Sequence, residues 1–338
     1  MASASDRVVF VGTAEGLYRA EPDGDRYEAS VAGLQGKGTV RAPLVVDRDD
    51  PRRLYAGTNR GGMFRSEDGG GTWREINDGI VYKEIWSVDQ HPRTGELIVG
   101  TGPAAIFKSV DRGDTWTECE QLRTLPTTKE WTFPNPPHVA HVKGLGLYAE
   151  DPSLIFGSVE EGWAIRTRDG GTTWQNLKDG VEFDLHYINI MPDDPATIVA
   201  TSGNGFYRSQ DGGDSWSECS QGLSCRYLAP MVVHPARPCV FFTAAAAVPP
   251  PGWRRPEGAD ASFFRTENRA DSWQKLTGGL PEHFTAAPRA TAGDPEDPDA
   301  FFVGMTDGSV WMSEDGGESF RQILGGLPPI TSLRVARR

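Results

Sequence analysis

Short apolar-aromatic runs punctuate the chain, each pair separated by a glycine-rich turn. "RLYAGT" precedes "GMFRS" and "TIVATS" precedes "GFYRS", while "AIFKS", "SFFRT" and "SVWMS" occupy the place of the second run elsewhere. Bounded runs rich in Val, Ile, Tyr, Phe and Thr predict β-strands, and the turns between them predict hairpins. A polar box then follows each second run. The boxes are "SEDGGGTW" (66–73), "SVDRGDTW" (109–116), "TRDGGTTW" (167–174), "SQDGGDSW" (209–216), the eroded "TENRADSW" (266–273) and "SEDGGESF" (313–320). Their markers Asp68, Asp111, Asp169, Asp211, Asn268 and Asp315 are spaced by 43, 58, 42, 57 and 47 residues. Repetition at such a period signals a radial or solenoid fold. Each repeat is therefore read as four antiparallel strands, one blade of an all-β propeller.

The box composition has a structural explanation. Between the third and fourth strands, the Asp side chain can accept hydrogen bonds from nearby N–H groups, and the Ser or Thr hydroxyl adds a local bond. Glycine supplies positive φ. Trp73, Trp116, Trp174, Trp216 and Trp273, with Phe320 as the sixth equivalent, are expected to bury their rings against the hairpin. Six near-copies suit six turns better than one reaction.

These boxes resemble the Asp-box, or BNR, repeats of sialidases, xyloglucanase-type glycoside hydrolases, sortilin-like receptors and photosystem-assembly-factor-like propellers. The resemblance covers nearly the whole chain and implies architecture; those families do unrelated things with the same blade. A seventh copy opens the chain, where "LYRAEPDGDRY" (17–27) aligns to "FYRSQDGGDSW" with Pro22 in place of the box Asp. That copy lacks an innermost strand, and "PITSLRVA" (329–336) is one to spare. The expectation is a single domain over 1–338, a seven-bladed β-propeller closed by the C-terminal strand pairing into the N-terminal blade.

The 40 Gly and 25 Pro suit a fold made of turns. A net charge of −13 disfavours a nucleic-acid or anionic-membrane surface. No run approaches transmembrane length, the start has no signal-peptide pattern, and the four cysteines lack CxxC pairing, so a cytoplasmic protein is expected.

Function is sought where the repeats differ. The long spacings reflect two Pro-rich insertions, 118–138 in a blade-to-blade connection and 246–261 in a second-to-third-strand turn. Both should rise on one face, here called top, with Trp131 and Trp253 as lid or binding residues. The innermost strands align on turns at Asp50-Pro51, Asp151-Pro152, Asp194-Pro195 and Arg237-Pro238. Eleven residues before each Pro lie Val40, His141, Asp184 and Tyr227, and nine before lie Ala42, Lys143, His186 and Ala229. Strands that line a packed interior should be apolar, so His141, Lys143, Asp184 and His186 ask for a reason. The neighbouring repeat contributes Lys83, Glu84 and Trp86. Arg41, His138, Glu160, Glu161, Trp163, Tyr187, Arg226 and His283 are further candidates around the mouth of the central channel.

His141, His186 and a carboxylate, Asp184 or Glu160, could hold a divalent transition metal. Metal-free acid–base work by the same groups, or mutual satisfaction in a wet channel, remain alternatives. What the sialidase resemblance implies is met only loosely: "VRAP" (40–43) keeps Arg41 and Pro43 of an Arg-Ile-Pro-like motif, and Arg226, Arg289, Tyr187 and Tyr227 supply arginines and phenols with nothing fixing their roles. Sialidase activity is not expected. Two classes stay open. One is a protein that binds, and as a hydrolase-like or lyase-like enzyme transforms, a small polar or glycan-like ligand, with His141, Lys143, Asp184 and His186 at its centre. The other is a non-catalytic scaffold presenting Trp131, Trp253, Arg254 and Arg255 to a protein partner.

Overall fold

The computed structural model describes residues 6–42 and 44–337. Pro43 of the "VRAP" stretch lies outside the described residues. Seven four-stranded antiparallel sheets make an all-β, seven-bladed propeller. The first blade holds β1 (Arg7–Thr13), β2 (Gly16–Asp23) and β3 (Arg26–Val31). The second holds β4 (Val45–Val46), β5 (Leu54–Thr58), β6 (Gly62–Ser66) and β7 (Arg74–Glu75). Next come β8 (Glu84–Gln90), β9 (Leu97–Gly102), β10 (Ile106–Ser109) and β11 (Thr117–Glu118). The fourth comprises β12 (His141–Leu147), β13 (Ile155–Glu160), β14 (Trp163–Thr167) and β15 (Gln175–Leu177). The fifth comprises β16 (Leu185–Met191), β17 (Asp194–Ser202), β18 (Gly205–Ser209) and β19 (Ser217–Glu218). The sixth runs β20 (Tyr227–Val233), β21 (Phe241–Ala246), β22 (Ser262–Thr266) and β23 (Gln274–Leu276). The seventh runs β24 (Pro288–Gly293), β25 (Phe301–Met305), β26 (Val310–Ser313) and β27 (Arg321–Leu324). Last in the chain, β28 (Ile330–Arg337) pairs antiparallel with β1 and supplies the missing innermost strand of the first blade.

The residues fall into two compact units. One takes the chain up to Val40, Gly203–Phe206 and everything from Cys219 on; the other takes Arg41–Ser202 and Tyr207–Glu218. In the first unit, stacked pairs such as Phe242–Phe301 (4.9 Å) and Phe263–Phe284 (5.2 Å) fill the core. Arg7 and Asp294 are buried there as an ion pair at 2.6 Å. Arg7 also reaches Asp297 and Glu314, and Arg337 of β28 closes on Asp294. The second unit packs aliphatic side chains of β8 and β9 with Tyr55 of β5 in one cluster, and those of β16 and β17 with Phe156 of β13 in another.

Five of the boxes build the same turn. Asp68 Oδ1 accepts from the Thr72 N–H (2.9 Å) and the Ser66 hydroxyl (2.8 Å), while Oδ2 accepts from the Thr72 hydroxyl (2.7 Å). Asp111, Asp169, Asp211 and Asp315 repeat this pattern. In the eroded box Asn268 accepts through Oδ1 from the Ser272 N–H, and its amide donates to the Ser272 hydroxyl. Trp116, Trp174, Trp216, Trp273 and Phe320 are buried, whereas Trp73 is only half-buried. One recurring position carries a role the sequence reading did not assign. The basic residue before the box hydroxyl reaches a carbonyl of the next box: Arg65 to Arg112, Lys108 to Gly170, Arg166 to Gly212, and Arg265 to Gly316.

Three details depart from expectation. The turn after β16 falls at Pro192-Asp193, because Asp194-Pro195 already belongs to β17. Val40 and Ala42 precede a two-residue inner strand, β4, rather than starting a long one. The first blade has a six-residue outer strand, β3, where the others have two to four. There the box is replaced by a tight turn at Gly24-Asp25, so strand pairing runs up to Asp23 and Arg26.

Candidate functional site

Three inner strands of the second unit, β8, β12 and β16, each carry an irregularity near their start. In β8 the register passes from Ile85–Thr101 to Ser87–Gly100, leaving Trp86 extra. In β12 it passes from Val142–Val159 to Gly144–Ser158, leaving Lys143 extra, and in β16 from Leu185–Ser202 to Tyr187–Thr201, leaving His186 extra. An extra residue on one strand raises local twist and re-aims its side chain. Close strand approach holds the geometry. Ser87 donates to the Val142 carbonyl and Ser158 to the His186 carbonyl, each at 2.9 Å. A Cβ on Gly144 would lie 2.7 Å from Ser158 Oγ and 3.0 Å from Tyr187 Cα, so only glycine fits there. The first unit bulges at the corresponding points, at Ala229-Pro230, Arg289 and Thr331.

Lys143 and His186 meet a buried carboxylate cluster. Glu160, the last residue of β13, is the register partner of His141. Its Oε2 lies 2.7 Å from His141 Nε2 and 2.8 Å from Lys143 Nζ, and all three side chains are buried. Asp184, just ahead of β16, places Oδ1 3.5 Å from His186 Nε2; its side chain is 30% exposed and gives the cluster an edge in solvent. One donor atom each from Glu160, Asp184 and His186 converge within 4.8 Å of one another. On the other side of His141, the indole of Trp86 stacks on the imidazole with centroids 3.3 Å apart, and Phe133 meets it edge-on at 4.8 Å. The Arg41 guanidinium lies 3.7 Å above the Trp86 ring and pairs with Glu84 at 3.1 Å.

Charge states follow from these contacts. Burial pushes the His141 imidazole down to about 4 despite Glu160, so it is neutral at pH 7 and donates its Nε2–H to the carboxylate. Burial opposes the charge of Glu160, but Lys143 and His141 more than offset it and hold the carboxyl well below its ordinary value. Burial likewise opposes ionisation of Asp184, and His186 and Lys143 pull it down. Glu161 moves the other way: burial, then Asp184 and Glu160, raise it.

The first insertion covers this region. Residues 118–138 form two short 3-10 turns, Glu120–Thr124 and Pro126–Glu130, anchored by buried Leu122 and Leu125. Trp131 is half-buried and donates Nε1–H to Asn176 Oδ1 at 3.3 Å. The Thr132 N–H donates to the Glu161 carbonyl at 3.1 Å. Glu161 and Trp163, at φ 53° and 64°, hold left-handed backbone that non-glycine residues seldom adopt. Phe133 escaped the sequence reading; its one signal was its place beside Trp131 in the insertion.

The other candidates fall elsewhere. His138 is exposed and turned to the Phe133 carbonyl, and Lys83 is exposed. Trp163 packs against Phe183, with Lys178 Nζ 4.2 Å from its ring centroid. Tyr187 is half-buried next to His186. In the first unit a separate group forms. Tyr227 meets Trp253 edge-on (5.6 Å), Arg289 lies over Trp253, and Trp253 donates to the Val248 carbonyl. Arg226 donates to Asn204, and His283 pairs with Asp260, while Arg254 and Arg255 are exposed.

Of the expected metal donors, His186 and Asp184 approach each other, but His141 is turned on to Glu160 and takes no part in the convergent set. The alternative set with Glu160 has an ammonium already on that carboxylate, which weighs against a divalent cation.

No family model matches the chain, and no curated protein sequence does. Solved structures do. The GH74 xyloglucanase of Xanthomonas campestris superposes with a TM-score of 0.70 at 16% identity, over 99% of this chain and 53% of that one. The GH74 enzyme of Niastella koreensis gives 0.66 at 17%, over 93% and 46%. YCF48 bound to a D1 peptide gives 0.56 at 18%, over 84% and 81%. The chain thus spans about half the length of the two GH74 proteins. At these identities the likeness establishes the propeller fold.

Proposed function

We propose that this protein binds a small polyhydroxy, glycan-like ligand at the cluster of His141, Lys143, Glu160, Asp184 and His186. The observation that supports this reading is a buried ion pair and two buried histidines at consecutive bulged strands, opening to solvent through Asp184. Burying charge costs several kcal/mol per ion unless it is fully paired, and apolar groups of the same volume often serve stability as well. The fold does not demand ions at every such bulge, since two of the three in the first unit hold Ala229-Pro230 and Thr331, while the third holds Arg289. Neighbouring carboxyls are also driven apart in acidity, Glu161 upward and Glu160 and Asp184 downward, the arrangement an acid–base pair needs for hydrolysis. The GH74 neighbours lend a glycan-like ligand further support. An anionic sugar is disfavoured, because Arg41 is already engaged by Glu84 and Trp86.

A polypeptide partner is the second reading. It draws on the exposed Arg254 and Arg255 of the second insertion and on the peptide-bound neighbour. Saturation-transfer NMR against a panel of oligosaccharides separates the two. Binding is expected for the wild type and lost in Asp184→Asn, whose half-exposed side chain can change without unfolding the core. Binding that survives both Asp184→Asn and His186→Asn would place the ligand elsewhere and reject the reading.

A further inference from the structure

The other six blades end in outer strands of two to four residues, whereas the first ends in the six residues of β3. Keeping the outermost strand short is one way a sheet guards its open edge against pairing, and the first blade lacks that guard. β3 is last in its sheet, with β2 on one side and no strand on the other among the described residues. The Ala32 N–H donates to the Leu17 carbonyl of β2, so alternation turns the backbone of Ser30, Glu28 and Arg26 to β2 as well. The N–H and C=O groups of Tyr27, Ala29 and Val31 therefore face outward. Val31 is 60% exposed, so the far end of this edge is open to solvent.

Beside the edge runs a groove of about 490 Å³ between β3 and β27, the outer strand of the seventh blade. Tyr27 and Ala29 line it from one blade, and Ile323, Leu324 and Leu327 from the other. Side chains alternate along a strand, so a segment paired with β3 would set every second side chain over this groove. A row of alternating backbone donors and acceptors is matched by another extended backbone, with the neighbouring groove left to read its side chains. We propose that β3 and this groove receive an extended segment of a partner protein, which adds to the first blade as a fifth strand. Charge selects among segments. Glu28 lies directly across from Glu21, a like-charge pairing that weakens a sheet, and Glu21 is paired with Arg19 at 2.7 Å. Glu28 has no ion pair among the described residues, so a Lys or Arg opposite it is favoured. A second copy of β3 supplies none in the registers that pair most of the edge. Antiparallel with Tyr27 on Ala29, it sets Glu28 against Glu28; with Ala29 on Ala29, it offers Glu28 only Ser30. Tyr27 on Tyr27 brings Arg26 to Glu28 but leaves Ala29 and Val31 beyond the end of the other strand. The edge lies wholly within the first unit and uses no residue of the His141 cluster, so the small-ligand reading stands or falls separately.

The test is fluorescence anisotropy with a labelled peptide built for this edge, Val-Thr-Val-Lys-Val-Glu. Running antiparallel, its valines face Val31, Ala29 and Tyr27, and its Lys faces Glu28. Methylating the backbone nitrogens of the valines, which point at β3, should weaken binding about tenfold or more, while methylating those of Thr and Lys should change it little. Replacing the peptide Lys by Glu should weaken binding to the wild type, and Glu28→Lys should reverse that preference. Ala29→Pro, its fold checked by its melting curve, removes an outward donor without touching the β2 pairing and should also weaken binding. Binding indifferent to which nitrogens are methylated would overturn the inference, as would no binding at millimolar peptide. Self-association of the protein in sedimentation, lost in Ala29→Pro, would overturn it in favour of a second copy.

Discussion

His141 is held as a neutral imidazole between an indole and a carboxylate, and that fixes how it responds to acid. Its folded pKa, near 4, lies below the ordinary histidine value of about 6.5, so the unfolded chain takes up a proton first as pH falls. The stability it contributes is therefore complete above pH 6.5 and is lost progressively towards pH 4, roughly 3 kcal/mol in all. Glu160 titrates only below the ordinary glutamate range, so the upper part of that window belongs to the histidine. Urea midpoints measured from pH 7 to 4.5 should fall in the wild type and stay nearly level in His141→Gln. Equal slopes would mean that the ring is not buried neutral. The residues of this cluster were legible in the sequence as polar exceptions on apolar strands. Their pairing was not, because spacing places a residue on a strand without saying which way a bulge turns it. Hence Glu160, read as a turn residue and as an alternative metal carboxylate, is the hub on which both His141 and Lys143 converge.

Among the elements, the box turns were the most transparent, since each is local and short. Hydrogen bonds from Thr115, Thr173 and Ser215, and from Thr72 in the first box, hold four of the aspartates near pKa 2. Folded values below the unfolded 3.8 mean that the turns favour the native state above that pH and lose this contribution as pH falls towards 2. The eroded box shows what an amide does in the same seat: Asn268 keeps the Oδ1 bond and turns the second into a donor. Asp211→Asn should accordingly fold normally at pH 7 and lose less stability between pH 4 and 2 than the wild type, as followed by thermal melts across that range. A variant as acid-sensitive as the wild type would remove the turn from the account. The bulges were partly visible as well. Counting back from the Asp-Pro turns picks out Lys143, His186 and Ala229, all at bulges, although the Asp194-Pro195 marker is itself the start of a strand. Missed altogether was the basic residue ahead of four of the boxes, Arg65, Lys108, Arg166 and Arg265. Its carbonyl partner lies in the next repeat, which no reading within one repeat can find.

For the whole molecule, the repeat period and the spare C-terminal strand were enough to predict seven sheets and their closure, because blades stack by nearest-neighbour contact. The ionic cluster that accompanies the closure gave no local signal. Arg7, Asp294 and Arg337 belong to three different strands or turns, with Asp294 wholly buried between the two arginines. Asp294→Ala removes the wholly buried carboxylate that Arg7 and Arg337 share and should cost about 3 kcal/mol or more, read as a lowered melting temperature. Asp297→Ala, whose partner is the same Arg7 but whose side chain is 39% exposed, should cost under about 1 kcal/mol. Equal costs for the two would show that burial is not what makes the cluster matter.

The pairing of β1 with β28 also sets an order of events during synthesis. β1 to β3 leave the ribosome ahead of the other blades, yet the inner edge of β1 has no partner until β28 has followed. Joining such distant segments makes the closing step slow relative to the hairpins, because the connecting chain must first surrender its freedom. Meanwhile "RVVFVGT", whose seven residues are all buried in the finished fold, waits with an open edge, β-prone and nearly uncharged. The strand that completes the first blade is thus also the one that ends its period of exposure to other nascent chains.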